Sequence, residues 1–177
     1  MHFHFVSAHF GSAPPWKHNP KSTKHKISNK YYDDSNSPSR KFAMHPRLKA
    51  KIPKMLEWKS YSADWYVWLD SSIKLNPNVD IPSIILKVSD GSPLCLFRHS
   101  KGRSIMDEAI CVNENIRNGN EYFRQRFDGE PIKNQVVKYY QDSEFKDDNL
   151  FQMSFFAYHR SASELMEEWF IHNCLWS

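Results

Sequence analysis

The chain has 177 residues, of which 40% are hydrophobic and 15% aromatic, with six Trp and twelve Phe. That is enough apolar mass for one well-filled core, which argues against a disordered chain, and too little length for two full domains. A formal net charge of +4 and only five Gly, with neither GxGxxG nor GxxxxGKS/T, argue against nucleic-acid binding driven by charge and against the Gly-rich phosphate loops of dinucleotide and P-loop enzymes.

In chain order, Phe3 to Phe10 reads as a first strand, stopped by Gly11 and the Pro14-Pro15 pair. Residues 17–40 are polar, with Lys17, Lys21, Lys24, Lys26, Lys30 and Arg40. They read as a long basic loop, either solvated or facing an anionic partner. Leu48, Ile52, Met55 and Leu56 fall at helical spacing over His45 to Trp58, where Pro53 is expected to kink or divide the helix. Trp65-Tyr66-Val67-Trp68-Leu69 is uniformly apolar and β-favouring, so it reads as a strand buried in the middle of a sheet.

That strand runs into Asp70-Ser71-Ser72 at its carboxyl end, where open α/β sheets place ligands. Ile81 to Val88 reads as a helix behind Pro82, and Pro93 to Phe97 as a short buried strand leading into Arg98 and His99. Helices are expected over Ile105 to Ile116 and Pro131 to Tyr140, and a strand over Phe151 to Tyr158. Ser161-Ala162-Ser163-Glu164 has the capping-box pattern that opens a last helix. Strands alternating with helices predict a single α/β layered domain over residues 1–177. Cys95, Cys111 and Cys174 are odd in number and lack a CxxC pair, so they read as reduced core thiols. No apolar run is long enough to span a bilayer and no signal-peptide pattern opens the chain, which reads as soluble and cytoplasmic.

Each polar group at a strand end has two readings. Asp70 with Ser72 suits a divalent cation, Mg2+ or Mn2+, whose remaining ligands are phosphate and water, or simply forms a turn. Arg98, His99, Lys101 and Arg103 suit diphosphate or carboxylate oxygens, or form an exposed basic turn. Asp107 and Glu108 complement a helix dipole or face a site. His159 is a base, a ligand or a surface histidine. Arg47 and Lys54 are phosphate contacts or solvated charges on an amphipathic helix.

The phrase Trp65-Tyr66-Val67-Trp68-Leu69-Asp70-Ser71-Ser72-Ile73, preceded by His45-Pro46 to Lys54 and followed by Leu96-Phe97-Arg98-His99-Ser100-Lys101-Gly102-Arg103-Ser104-Ile105-Met106-Asp107-Glu108-Ala109, resembles a glycosyltransferase-like family of plant and bacterial proteins, formerly a domain of unknown function. The resemblance runs from the first strand to Trp169. It implies a GT-A-like (Rossmann-like) mixed sheet flanked by helices. The activity it implies is transfer of a sugar from a nucleotide-sugar donor to the hydroxyl of a glycan or other acceptor. In such a site a DxD motif holds Mn2+ or Mg2+ on the donor diphosphate. Here Asp70 stands at the first acid and Ser72, a weaker ligand, at the second. Arg47, Lys54, Asp70, Ser71, Ser72, His99 and Arg103 would line the donor site, with Glu108 and His159 as candidate acid–base groups, and the basic loop would close over the donor. Related sequences continue past the equivalent of Trp169 with an Asp-Gln pair, so the domain is expected to be incomplete at its carboxyl end.

Two other classes use the same residues. A metal-dependent nuclease or phosphohydrolase would employ Asp70, Glu108 and nearby cations, although basic and aromatic residues are not interleaved as nucleic acid requires. A non-catalytic nucleotide-sugar or glycan-binding module would need only the donor contacts.

Overall fold

The structure, a computed structural model, describes residues 1–10, 18–37, 46–99, 104–127, 129–147 and 150–175. The chain divides into two compact units, Met1–Phe97 with Met153–Ile171 and Arg98–Gln152 with His172–Ser177.

The strands are β1 (His2–Ala8), β2 (Lys26–Tyr32), β3 (Trp65–Leu69), β4 (Leu94–Arg98) and β5 (Phe151–His159). They form a mixed sheet in the order β2-β1-β3-β5-β4. β1 pairs in parallel with β2, from His2 opposite Lys26 to Ala8 opposite Tyr32, and in parallel with β3, from Phe3 opposite Trp65 to Val6 opposite Trp68. β3 pairs antiparallel with β5, Trp65 opposite His159 and Leu69 opposite Phe155. The His159 amide donates to the Pro93 carbonyl and the His99 amide to the Leu150 carbonyl, each at 2.7 Å, which makes β4 antiparallel to β5 as well. β5 is thus the reversed strand among four that run the same way.

Every residue of β3 is buried. A strand with no solvated face needs cover on both sides, and the helices supply it. On one face Val6, Tyr66, Trp68, Phe156 and Tyr158 pack with Ala50, Met55 and Leu56 of α1 (Pro46–Leu56) and with Met166 and Trp169 of α6 (Ser163–Leu175). On the other, Phe3, Phe5, Trp65, Val67 and Leu69 pack with Ile81, Ile85 and Leu86 of α2 (Ile81–Ser89). The Asp80 side chain caps α2 by accepting from the Ser83 amide, and Pro82 occupies its first turn, where no amide is needed.

Pro53 lies inside α1 without dividing it. A proline removes one backbone bond, but Ala50, Met55 and Leu56 keep the helix seated on the sheet, and the chain tightens into a 3-10 turn only at Glu57–Lys59. The expected loop over 17–40 is also revised, because Lys26–Tyr32 is strand β2. An edge strand pairs on one side only and leaves Lys26, Asn29 and Lys30 exposed, so it lacks the apolar run that marks a buried strand.

In the second unit α3 (Ile105–Arg117), α4 (Glu121–Phe127) and α5 (Ile132–Gln141) follow one another. α3 opens with a capping box in which Ser104 accepts from the Asp107 amide and Asp107 accepts from the Ser104 amide. Asp107 therefore caps its own helix. The Asp147 carboxylate accepts from the Ile105 and Met106 amides at 2.6 and 3.1 Å. The other expected capping box is replaced: a 3-10 turn, Arg160–Ala162, precedes α6, and the His159 ring accepts from the Ser161 amide. Of the cysteines, Cys95 is buried, Cys111 half-buried and Cys174 exposed, so only the first is a core thiol.

Phe156 is fully buried, with its ring against Trp169 and Tyr158. Phe156→Ala is expected to cost about 3–5 kcal/mol in urea unfolding, as an unfilled aromatic cavity does. A loss below about 1 kcal/mol would show that this face of the sheet is loosely packed.

Candidate functional site

At the carboxyl ends of the parallel strands the chain leaves β1 toward β2 on one side and leaves β3 toward β4 on the other, a reversal of strand order of the kind beside which open α/β sheets form a crevice. His9 follows β1 and Asp70 follows β3 at this edge. The Asp70 amide donates to the Ser154 carbonyl at 2.8 Å, and the Ile73 amide closes a turn onto the Asp70 carbonyl at 2.9 Å. The backbone of Asp70-Ser71-Ser72 is therefore a turn, and it presents its side chains at the crevice. The Ser71 hydroxyl lies 3.1 Å from Nδ1 of His9, which ties the ends of β1 and β3 together, while Ser72 is exposed.

Asp70 is held from below. The indole Nε1 of Trp68 donates to its Oδ1 at 2.6 Å, and the Lys54 ammonium lies 3.8 Å from the same oxygen. Lys54 also donates to the Met153 carbonyl at 2.6 Å and stands over the rings of Trp68 and Phe156, 5.2 and 5.7 Å from their centroids. Its side chain is 14% exposed, so the charge is largely desolvated and sustained by the carboxylate, the carbonyl and the two ring faces.

This arrangement bears on the expected cation at Asp70 and Ser72. A divalent ion needs several hard oxygen ligands. Among the described residues no group of three or more His, Cys, Asp and Glu is placed to hold a metal. Oδ1 of Asp70 already accepts the indole N–H, and the Lys54 ammonium sets a positive charge where an ion would repel it. Oδ1 of Asp70 is thus engaged by two protein groups and Ser72 is exposed, so a cation here would take most of its oxygens from phosphate and water.

His18, which bonds the Asp70 backbone, lines two clefts. One, of about 210 Å3, is bounded by Phe5, Ser7, Asn29, Lys30 and Tyr31. The other, of about 270 Å3, is bounded by Lys21, Lys74, Asn76 and Ile81 among others. Burial lowers the His18 imidazole below the usual histidine value, partly offset by a hydrogen bond to the Asp70 backbone. Its Nε2 is buried without a hydrogen-bond partner, as is the Tyr31 hydroxyl. Burial, with Asp33 nearby, pushes that phenol up to about 12. Unpartnered buried polar atoms beside a cleft are groups that a ligand or water would satisfy. His9, His18 and Lys74 were not singled out from the sequence, whereas Lys21 was read there as part of the basic loop. His9 directly follows β1, a signal that needs the strand order to be recognised.

Arg47 is the second residue of α1, with its side chain outside the described set, and Arg103 and Lys101 lie outside the described residues. His99 and Glu108 belong to the second unit, the former just beyond β4 and the latter in the first turn of α3. His159 does not share the Asp70 edge. It pairs with Trp65 at the start of β3, stacks edge-on against that indole at 5.4 Å, and bonds the Ser161 hydroxyl. The expectation treated all strand ends alike, and the reversed direction of β5 carries its carboxyl end to the opposite side of the sheet.

Comparison with protein-family models, with curated proteins and with solved structures finds no match for this chain. No helix among the described residues is long and apolar enough to cross a membrane.

Because burial lowers His18, the unfolded chain binds a proton at a pH where the folded imidazole does not, so its contribution to stability is lost as pH falls through the ordinary value of 6.5. His2 shifts in the same direction. His18→Gln should therefore weaken, without abolishing, the loss of stability between about pH 7.5 and 5 in urea melts. An unchanged pH profile would mean that His18 is solvated in the folded protein.

Proposed function

We propose that the chain is a nucleotide-sugar-dependent glycosyltransferase, transferring a sugar from its donor to an acceptor hydroxyl, with the donor diphosphate in the crevice after β1 and β3. The observation that carries this reading is the cleft of about 270 Å3 beside the Asp70 turn, where His18, Lys21 and Lys74 converge with Asn19 and Asn76. Lysines and amides of this kind suit phosphate and ribose oxygens. The strand reversal is the place where open α/β sheets take nucleotides. The resemblance of the Trp65–Ile73 and Leu96–Ala109 phrases to a glycosyltransferase-like family points the same way.

In this reading Lys21 and Lys74 offset the negative charge that grows on the departing nucleotide diphosphate as the acceptor oxygen attacks the anomeric carbon. Asp70, fixed by Trp68 and Lys54, accepts from a donor hydroxyl and holds the sugar in register. His18 contributes a neutral, desolvated hydrogen-bonding group between the two clefts.

A thermal-shift panel of UDP-, GDP- and CMP-sugars tests the reading. A donor at 100 times its dissociation constant adds about 2.7 kcal/mol of stability, which is a rise of several degrees for a chain of this size. Asp70→Ala is expected to fold and to lose that rise. Undiminished donor binding by the variant, or no shift with any donor, contradicts the assignment.

A further inference from the structure

On the α1 face of the sheet lies a line of polar groups in a core that is otherwise apolar. His4 and Glu57 are 2% and 3% exposed. Nε2 of His4 lies 3.1 Å from Oε1 of Glu57, and Nδ1 of the same ring lies 2.7 Å from the Ser28 hydroxyl. The Tyr32 hydroxyl donates to Oε2 of Glu57 at 2.8 Å, and Nε2 of His2 lies 2.8 Å from Oγ of Ser28. His4 and Ser28 are direct partners in the parallel register of β1 and β2. The Tyr61 ring stacks on His4 with centroids 3.9 Å apart, which fixes the imidazole plane.

One assignment of protons satisfies all of these contacts. Oε2 of Glu57 accepts from Tyr32, so Oε1 is left to accept Nε2–H of His4. With His4 neutral, Nδ1 is bare and accepts the Ser28 proton, and Nε2–H of His2 donates to Oγ. A hydroxyl facing an unprotonated imidazole nitrogen, with a buried carboxylate fixing the tautomer, is the arrangement that activates a serine nucleophile. We propose that Ser28, His4 and Glu57 form a second active site, a serine-nucleophile centre that hydrolyses carboxylic esters.

Ser28 is half-buried on the edge strand, the approach for a substrate, and the buried His4 and Glu57 lie behind it. Oγ attacks the ester carbonyl carbon as its proton passes to Nδ1 of His4. The oxygen–carbon bond to the leaving group then breaks, and the alcohol departs with the proton from His4. Water repeats the sequence on the acyl-serine, releasing the carboxylic acid and restoring Ser28. His2, whose imidazole is held below the usual histidine value by burial and by Lys26, keeps its Nε2–H on Oγ of Ser28 in the resting state. Lys26 and Lys30, two residues either side of Ser28 and so on its face of β2, add positive charge there. Ser28 and His4 are the groups that meet substrate, while Glu57 and Tyr32 position His4.

The experiment is labelling of the native chain with a fluorophosphonate, with the adduct located by mass spectrometry. An adduct on Ser28 that is absent from Ser28→Ala and from urea-unfolded protein is expected. Glu57→Gln should slow labelling about 100-fold, the scale of a misplaced general base, and change the pH dependence of the rate, with Glu57→Asp restoring part of it. Ser28→Ala removes one hydroxyl from a half-exposed edge and keeps the fold, so its control does not depend on the buried variants. Folded wild-type protein without a Ser28 adduct, or labelling as fast when unfolded or with Glu57→Gln, overturns the proposal and leaves the line of groups as a clamp joining β1, β2 and the 3-10 turn.

Discussion

The first unit depends on the two-sided burial of β3. Five consecutive residues, Trp65 to Leu69, have no solvated face, so the sheet around them needs neighbours on both edges and helices on both faces. β1 and β5 satisfy the edges, and α1 with α6 and α2 satisfy the faces. Asp70 is the first residue along β3 at which a polar group reaches water. Its place at the crevice is a consequence of the apolar run that precedes it, and the Trp68 indole, two residues back on the same face, is positioned to bind it.

Buried strands were legible because their signal is local. β3 matches its expected bounds, and α2, β4, α3, α5 and β5 fall within a residue or two of theirs, each marked by an apolar pattern with a cap or proline at one end. β2 was not legible, since Lys26, Asn29 and Lys30 are exposed and the strand is defined by pairing with β1. α4 has only seven residues, too short a stretch for a helical period to stand out. The direction of β5 is a property of the topology, and no residue within Phe151–His159 discloses it. His159 was for that reason associated with the wrong edge.

The site divides along the same line. Asp70, Ser71 and Lys54 stood out as polar residues next to apolar runs, and the structure brings Asp70 and Lys54 together around Trp68 and Met153 while Ser71 meets His9. What the ammonium does to Asp70 was hidden, because helix α1 and the end of β3 are joined only by packing. A carboxylate countered by a desolvated lysine is a different chemical object from one waiting for a cation. The His4–Glu57–Tyr32 line was hidden for a similar reason: its members come from β1, a 3-10 turn and an edge strand, and alternating histidines in β1 were its one sequence trace.

The proposed ligand edge of the sheet bears His9, Asp70 and Ser71, opposite to the edge bearing Trp65 and His159. Backbone amide NMR during titration with the stabilising nucleotide sugar tests it directly. Shifts concentrated at residues 9, 18–21 and 70–76 are the predicted result. Shifts centred on Trp65 and His159 would contradict it.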